Sequence, residues 1–169
     1  MSMKSTPRLL PFFVYGTLLP GQPNAHLWGD SIVSQQNATL ANGRLYDLGA
    51  FPMLVEEGEE MVVGCLITVQ PWQYQSILAH LDELEGYDPA QPAASAYRRE
   101  QRDVLGEDGR SHSAWVYIGH ATALPDMMHI PSGDWRRHVA ATFQDVDEWW
   151  QTVQSVHGML KPPEPRGAA

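Results

Sequence analysis

The chain has 169 residues, 43 % of them hydrophobic and 18 % charged, a composition typical of one globular domain and not of a disordered chain. Its formal net charge of −9 argues against a nucleic-acid partner, because phosphate neutralisation requires clustered lysines and arginines. No apolar run approaches the ~20 residues that a membrane helix needs, and Met1–Pro11 lacks the pattern of a secretory signal. We therefore expect a cytoplasmic protein with neither a nucleic-acid nor a membrane partner.

The N-terminal part of the chain consists of strand-like runs separated by turns. These runs are Leu9–Tyr15, Ala38–Leu48, Met53–Val55 and Met61–Val69. Between the first two, Asn24 is expected to cap a short helix that continues through Trp28. The charged segment Gly58–Glu60 predicts the tip of a hairpin that joins the last two strands. Cys65 lies inside the last run, where a buried, unreactive thiol is expected.

A helix is predicted to begin at Pro71, where the missing N–H of proline costs nothing, and to end at the left-handed cap Gly86. Its apolar positions follow helical spacing: Tyr74, Ile77, Leu78, Leu81 and Leu84. After a loop over Asp88–Ser95, the runs Tyr97–Leu105 and His112–Ile118 predict two further strands. Gly106–Gly109 between them is typical of a hairpin turn.

The last part of the chain begins with an irregular stretch over Gly119–Pro131. A second helix is predicted from about Asp134 to Val156, and the proline-rich segment Lys161–Ala169 is predicted to be disordered. The sum is an α+β fold, a mostly antiparallel sheet that can curl into a barrel with two main helices packed on it. We expect a single domain over residues 1–160 and a disordered tail over residues 161–169.

Two segments carry candidate chemistry. The first is the loop Tyr15–Leu18, where a buried strand ends in Gly-Thr and leaves backbone N–H groups that can face an anion or an oxyanion. A glycine that only relieves a turn explains the same residues. It is neither a Walker loop nor a dinucleotide fingerprint.

The second segment is the acidic helix end around Asp82, Glu83 and Glu85. The helix dipole disfavours anions at this end, and neighbouring carboxylates repel, so both effects raise a carboxyl pKa, as burial would. Such a pKa suits a general acid/base. Glu85 lies one turn past Leu81 and is expected to face inward, while Glu83 faces water. A solvated acidic helix end is the alternative.

Metal and cysteine chemistry are not indicated. The sole cysteine excludes a disulfide framework, and the seven scattered histidines show no zinc-site spacing. No Gly-x-Ser-x-Gly elbow of a serine hydrolase is present.

Together, several motifs resemble the gamma-glutamyl cyclotransferase family, most closely its gamma-glutamylamine cyclotransferase branch. They are Phe13–Leu18 with Pro20–Asn24, then Leu81–Gly86, then Tyr97–Arg99, with lesser matches at Phe51–Leu54, Gly64 and Tyr117. The resemblance implies a small antiparallel β-barrel flanked by helices. It also implies formation of 5-oxoproline and a free amine from a small gamma-glutamyl substrate, without a metal or organic cofactor.

The family's site residues transfer to this sequence position by position. Glu85 is expected to be the catalytic acid/base. The expected substrate-binding residues are Tyr15, Gly16, Thr17, Leu18, Tyr97, Arg99 and Tyr117, with Tyr97 and Arg99 shaping the pocket and supporting the sheet.

Two alternatives remain open: a non-catalytic module that binds a gamma-glutamyl or amino-acid ligand, and an enzyme of this fold acting on another amide. The sequence leaves the leaving amine and the oligomeric state undetermined.

Overall fold

The computed structural model describes residues 9–49, 51–91, 94–95, 97–120 and 128–142. The chain divides after Trp135 into two units, of which the second is described only over residues 136–142. The prediction for the C-terminal tail Lys161–Ala169 lies outside the described residues. The prediction of one domain over residues 1–160 therefore stays a prediction.

Among the described residues of the first unit, eight strands form two sheets. They are β1 (Phe12–Val14), β2 (Ile32–Ala41), β3 (Arg44–Asp47), β4 (Pro52–Val55), β5 (Met61–Val69), β6 (Tyr97–Gly106), β7 (Ser111–Gly119) and β8 (Met128–Ile130). Five of them close a barrel in the order β1-β5-β2-β6-β7. Every pairing in the barrel is antiparallel except the parallel contact of β1 with β7 at Phe12 and Trp115. The predicted α+β fold with a mostly antiparallel barrel is confirmed.

A close crossing of strands holds β1 against β5. A Cβ atom at Gly64 would lie 2.2 Å from the carbonyl oxygen of Val14 and 2.9 Å from Cζ of Phe13, so only glycine fits this position. Because β1 is short and buried throughout, this packing fixes the point at which the chain leaves the barrel at Tyr15.

The remaining strands form a separate sheet in the order β4-β3-β8. This corrects two predictions. The hairpin expected at Gly58–Glu60 is wrong, because β4 pairs with β3, whereas β5 pairs along its length with β2. The stretch Gly119–Pro131 also contains β8, whose three residues acquire strand geometry by pairing with β3. Leu45, Leu54 and Ile130, one on each strand, are buried at 0–1 % exposure and form the core of this sheet.

The predicted helix over Pro71–Gly86 is present in two parts. Pro71–Gln73 form a 3₁₀ turn, and α1 spans Tyr74–Leu84. Tyr74, Ile77 and Leu81 lie at helical spacing and are buried, so α1 packs one face inward. The hydroxyl of Tyr74 donates to the Leu10 carbonyl at 2.7 Å, which ties the start of α1 to the chain before β1.

Residues 135–142 are helical and contain the beginning of the second predicted helix, whose remainder lies outside the described residues. Within the described part of the chain, no helix has the length and apolar character needed to cross a membrane.

Candidate active site

A cavity of about 540 Å³ lies where the loop after β1 faces the end of α1. Residues 13–18 form one wall and residues 84–86 form another. The rest of the lining comes from residues 23–24, Phe51, Pro52, Tyr97 and Tyr117. The two segments that the sequence marked for chemistry therefore meet at one cavity.

Gly16 allows the loop Tyr15–Leu18 to pack against β4. A Cβ atom at Gly16 would lie 2.6 Å from Cγ and 2.7 Å from Cδ of Pro52, so a larger residue would push the loop away. The Leu19 N–H donates to the Gly16 carbonyl at 3.0 Å and closes a turn. Among the described residues, the backbone N–H groups of Gly16, Thr17 and Leu18 have no acceptor. These three donors are available to a ligand.

Asn24 holds this loop and does not cap a helix as the sequence predicted. The 3₁₀ turn Ala25–Trp28 follows Asn24, but the Asn24 side chain makes no capping hydrogen bond to this turn. Instead, Nδ2 of Asn24 donates to the Thr17 hydroxyl at 2.9 Å, and its backbone N–H donates to the Thr17 carbonyl at 2.9 Å. Nε1 of Trp28 donates to the Leu18 carbonyl at 2.9 Å. The loop is thus fixed through its side-chain and carbonyl oxygens.

Glu85 directly follows the last residue of α1. The N–H of Gly86 donates to the Glu83 carbonyl at 3.1 Å, and the N–H of Tyr87 donates to the Asp82 carbonyl at 2.8 Å. This pair of bonds is a Schellman motif, which requires the left-handed φ of 68° found at Gly86. The helix cap therefore fixes the backbone from which the Glu85 carboxylate enters the cavity.

Burial raises the pKa of Glu85 from its ordinary value of 4.5 to about 7. Burial, one of the causes that the sequence analysis named, therefore accounts for this shift. Asp82, one turn earlier, is paired with Arg99. Glu83 is exposed and Glu85 lines the cavity, which agrees with the orientations expected from helical spacing.

Three buried tyrosines surround the cavity and direct their hydroxyl protons away from Glu85. Tyr15 donates to the Tyr117 carbonyl at 2.6 Å, Tyr97 donates to the Pro52 carbonyl at 3.0 Å, and Tyr117 donates to Oδ1 of Asp82 at 2.6 Å. Burial is the largest cause of a raised pKa in all three phenols, and the charge of Glu85 raises each further. No hydrogen bond from a described side chain reaches the Glu85 carboxylate, so nothing there offsets its desolvation.

Comparison with known proteins places these features in a family. A sequence model of the family described as "Gamma-glutamyl cyclotransferase, AIG2-like" matches residues 12–137, which include every cavity residue named above. The chain belongs to this family. The resemblance found in the motifs is confirmed.

Two curated relatives have gamma-glutamyl cyclotransferase names. A Vibrio cholerae protein named "Putative gamma-glutamylcyclotransferase" is 37 % identical over 128 residues, covering 75 % of this chain and 96 % of its own. The gamma-L-glutamyl-butirosin B gamma-glutamyl cyclotransferase of Niallia circulans is 28 % identical over 137 residues, covering 80 % and 81 %. Among solved structures, an AIG2-like protein from Mus musculus matches with a TM-score of 0.54 at 26 % identity, covering 74 % of this chain and 88 % of that one.

In this member of the gamma-glutamyl cyclotransferase family, Arg99 lies on β6 and binds Asp82 of α1. Unlike the other predicted site residues, it does not line the cavity. Its Nε and Nη2 atoms donate to the two oxygens of Asp82 at 2.9 and 3.3 Å, and its guanidinium lies 4.5 Å from the centre of the Trp115 ring. Arg99 therefore supports Tyr117 through Asp82, which is compatible with the supporting role expected for it, and its expected contact with substrate stays a prediction.

The structure adds residues that the sequence did not single out. Asp82 looks like one of several acids at a helix end, and only the fold brings it to Tyr117 and Arg99. Leu84 has the spacing of a core residue, yet it is 40 % exposed and lines the cavity. Within the described residues, no group of three or more His, Cys, Asp or Glu side chains could hold a metal ion.

Proposed function

We propose that this protein is a gamma-glutamyl cyclotransferase that cleaves a gamma-glutamyl amine or peptide to 5-oxoproline and a free amine. The observation that carries the proposal is the position of Glu85, a carboxyl with a pKa of about 7, in a cavity that Gly16, Thr17 and Leu18 also line with backbone N–H groups that have no described acceptor. Family membership and the names of the two curated relatives support the same activity.

The loop Gly16–Leu18 is the proposed anion site. Its N–H groups lie just after a strand end in residues that line the cavity, and they can bind the α-carboxylate of the gamma-glutamyl group or the oxyanion formed at its γ-carbon. Holding either group would keep the substrate folded with its α-amine near its γ-carbonyl. Because nucleophile and electrophile belong to one molecule, fixing this conformer supplies much of the rate acceleration.

Glu85 is the proposed acid/base. The substrate α-ammonium gives a proton to the Glu85 carboxylate, and the free amine attacks the γ-carbonyl. A bond forms between the α-nitrogen and the γ-carbon, and Glu85 returns its proton to the leaving nitrogen as the bond from the γ-carbon to that nitrogen breaks. The second proton that the α-nitrogen loses passes by way of Glu85 to the released amine, which leaves as an ammonium ion. A pKa near neutral pH serves both transfers, since the carboxyl must accept and then release a proton. The atoms balance without water, metal or organic cofactor.

The predicted cytoplasmic location and the absence of nucleic-acid and membrane partners belong to this proposal. They rest on the acidic net charge and on the lack of a long apolar segment in the sequence.

The test is release of 5-oxoproline from a panel of gamma-glutamyl amines and peptides. Glu85→Gln should lower kcat by roughly 10²–10⁴-fold, the usual contribution of a positioned acid/base. Glu83→Gln is the matched control, because it removes the same charge from an exposed position at the same helix end, and it should keep the wild-type rate. Full activity in Glu85→Gln would contradict the assignment. Ligand-induced stabilisation without product from any compound would favour a binding module instead.

A further inference from the structure

The loop Gly16–Leu18 uses its backbone oxygens for hydrogen bonds within the protein and leaves its donors free. Each of its three carbonyl oxygens accepts a hydrogen bond, at 2.9–3.0 Å. The donors are the backbone N–H groups of Leu19 and Asn24 and the indole N–H of Trp28. The three N–H groups of the loop itself have no acceptor among the described residues. The loop therefore offers donors to a ligand, and its acceptors are already occupied.

The side chain of Thr17 follows the same pattern. Its hydroxyl oxygen accepts a hydrogen bond from Nδ2 of Asn24 at 2.9 Å. An amide NH₂ group donates and does not accept, so the hydroxyl proton of Thr17 points away from Asn24. No described residue accepts that proton. Because Thr17 and Asn24 both line the cavity, the proton is available to a ligand bound there.

Asn24 is attached to Thr17 at two points. Its backbone N–H donates to the Thr17 carbonyl, and its side-chain amide donates to the Thr17 hydroxyl, each at 2.9 Å. On its other side, the Asn24 carbonyl accepts from the N–H of Leu27 at 3.1 Å, within the 3₁₀ turn that follows. These backbone bonds fix the main chain of Asn24, so its amide is held in place to orient the hydroxyl.

The cavity offers no cationic side chain to an anion. Among the described residues that line it, none is a lysine, arginine or histidine, and Glu85 is the one acid. A carboxylate that enters such a cavity loses its hydration and needs hydrogen-bond donors in return. The α-carboxylate is the permanent anion of a gamma-glutamyl group, and a carboxylate accepts up to about four hydrogen bonds. The backbone donors of the loop and the Thr17 hydroxyl match this requirement.

We propose that Asn24 is a positioning residue that fixes the Thr17 hydroxyl as a donor to the α-carboxylate of the substrate. This inference rests on the proposed function and assigns the part of the substrate that the Gly16–Leu18 loop recognises. Without the Asn24 amide, the hydroxyl can rotate among several orientations, and binding of the carboxylate must then restrict it. Hydrogen bonds to ionised groups are roughly twice as strong as those between neutral groups, so loss of this donor weakens binding of a carboxylate most.

A matched pair of substrates isolates the α-carboxylate. The first is the gamma-glutamyl compound of the panel that the wild type converts fastest, and the second is the same compound with a carboxamide in place of the α-carboxylate. Release of the shared amine measures both reactions, and the ratio of the two kcat/KM values gives the preference for the carboxylate. Because every variant is compared with the wild type, chemical differences between the two compounds cancel.

Substitutions at both ends of the hydrogen bond should narrow this preference. Thr17→Val removes the hydroxyl and should narrow it at least about threefold. The change should lie mainly in KM for the carboxylate compound, because the α-carboxylate is bound equally in the ground state and the transition state. Asn24→Ala removes the orienting amide and should narrow the preference at least about twofold. Thr17→Ser keeps the hydroxyl and should restore most of the preference that Thr17→Val loses.

Gln22→Ala is the matched control for Asn24→Ala. It removes an amide side chain from the same loop, but Gln22 does not line the cavity and its side chain makes no hydrogen bond with a described residue. We expect the wild-type preference in this variant. A loss as large as that of Asn24→Ala would show that any disturbance of the loop has the same effect, and it would overturn the proposal.

The double variant Asn24→Ala/Thr17→Val separates positioning from direct contact. If Asn24 acts through the hydroxyl, its removal has no further effect once the hydroxyl is gone, and the double variant should have the preference of Thr17→Val alone. Losses that multiply would mean that Asn24 contacts the substrate by itself, which overturns the positioning role. A role confined to the shape of the loop would lower kcat/KM for both compounds equally and leave their ratio unchanged, which also overturns it.

Asn24→Asp keeps the proposal testable should Asn24→Ala fail to fold. It preserves the shape of the side chain but replaces the donor with an acceptor, so the Thr17 hydroxyl donates to the new carboxylate and turns away from the cavity. The preference should narrow at least as much as in Thr17→Val, and an unchanged preference refutes the proposal. Turnover by the wild type with the same preference in every variant overturns this inference alone. A wild type that converts no compound of the panel overturns the proposed function as well.

Discussion

Glu85 should make the stability of this protein depend on pH in a direction opposite to that of most carboxylates. Its pKa of about 7 in the folded chain exceeds the ordinary 4.5, so the folded state binds a proton more tightly than the unfolded state. Stability is then fully retained below about pH 4.5 and falls as pH rises through 7. At ~1.4 kcal/mol for each pKa unit, the ionised carboxylate costs about 3 kcal/mol, or about 2 kcal/mol after allowing for its partial exposure.

Glu85→Gln removes this cost because glutamine resembles the protonated acid. We expect the difference in free energy of unfolding between Glu85→Gln and wild type to grow by about 2–3 kcal/mol between about pH 4 and pH 9, which corresponds to roughly 4–10 °C in Tm. Urea unfolding at constant ionic strength measures it. Glu83→Gln, exposed at the same helix end, should give a nearly constant difference. Parallel curves for both variants would show that burial does not raise the Glu85 pKa.

Three further predictions concern the framework of the site. Gly64→Ala should destabilise the fold by about 3 kcal/mol in urea unfolding, because the new methyl group would lie 2.2 Å from the rigid Val14 carbonyl. Gly16→Ala should leave stability within about 1 kcal/mol but lower kcat/KM by at least about tenfold, since contact with Pro52 would displace the loop from its reactive position. Tyr15→Phe should cost about 1–2 kcal/mol in thermal unfolding, because a buried carbonyl loses its donor. Wild-type stability in Gly64→Ala or in Tyr15→Phe, or a wild-type kcat/KM in Gly16→Ala, would contradict the contact concerned.

The sequence predicts helix α1 and the turn between β6 and β7 because both are stabilised by interactions between residues that are close in the chain. Helix α1 is marked by Pro71 at its start, by apolar positions at helical spacing, and by Gly86 at its end, where the cap bonds lie within a few residues. The turn between β6 and β7 likewise depends on nearby residues and agrees with the sequence.

The pairing of strands depends on residues that are far apart in the chain, and the sequence predictions are wrong for the pairing of β4 and for strand β8. The charged turn after β4 looks like a hairpin tip, but β4 finds its partner in β3 and packs on β7, where Gly119 makes room for Met53. Strand β8 has three residues, which are too few to show the alternation of apolar and polar residues that marks a strand. It is a strand because it pairs with β3 at the edge of the sheet. Both depend on contacts across the fold.

The candidate site also has one part that the sequence predicts and one part that only the fold reveals. The motif around Glu85 and the Tyr15–Leu18 loop are readable in the sequence, whereas the pairing of Asp82 with Arg99 links residues 17 positions apart on a helix and a strand. The raised pKa of Glu85 also depends on burial, which the whole fold creates and the local sequence does not specify.

The cap that ends α1 fixes the backbone of Glu85 through local interactions alone. Hydrogen bonds within residues 81–87 fix the backbone of Glu85, so its placement does not depend on the chain that follows Tyr87. Insertions, deletions or exchanges after this point can remodel the neighbourhood of the cavity while the carboxylate keeps its position. The Schellman motif thus makes the position of the Glu85 backbone tolerant of changes in the chain from residue 88 onwards.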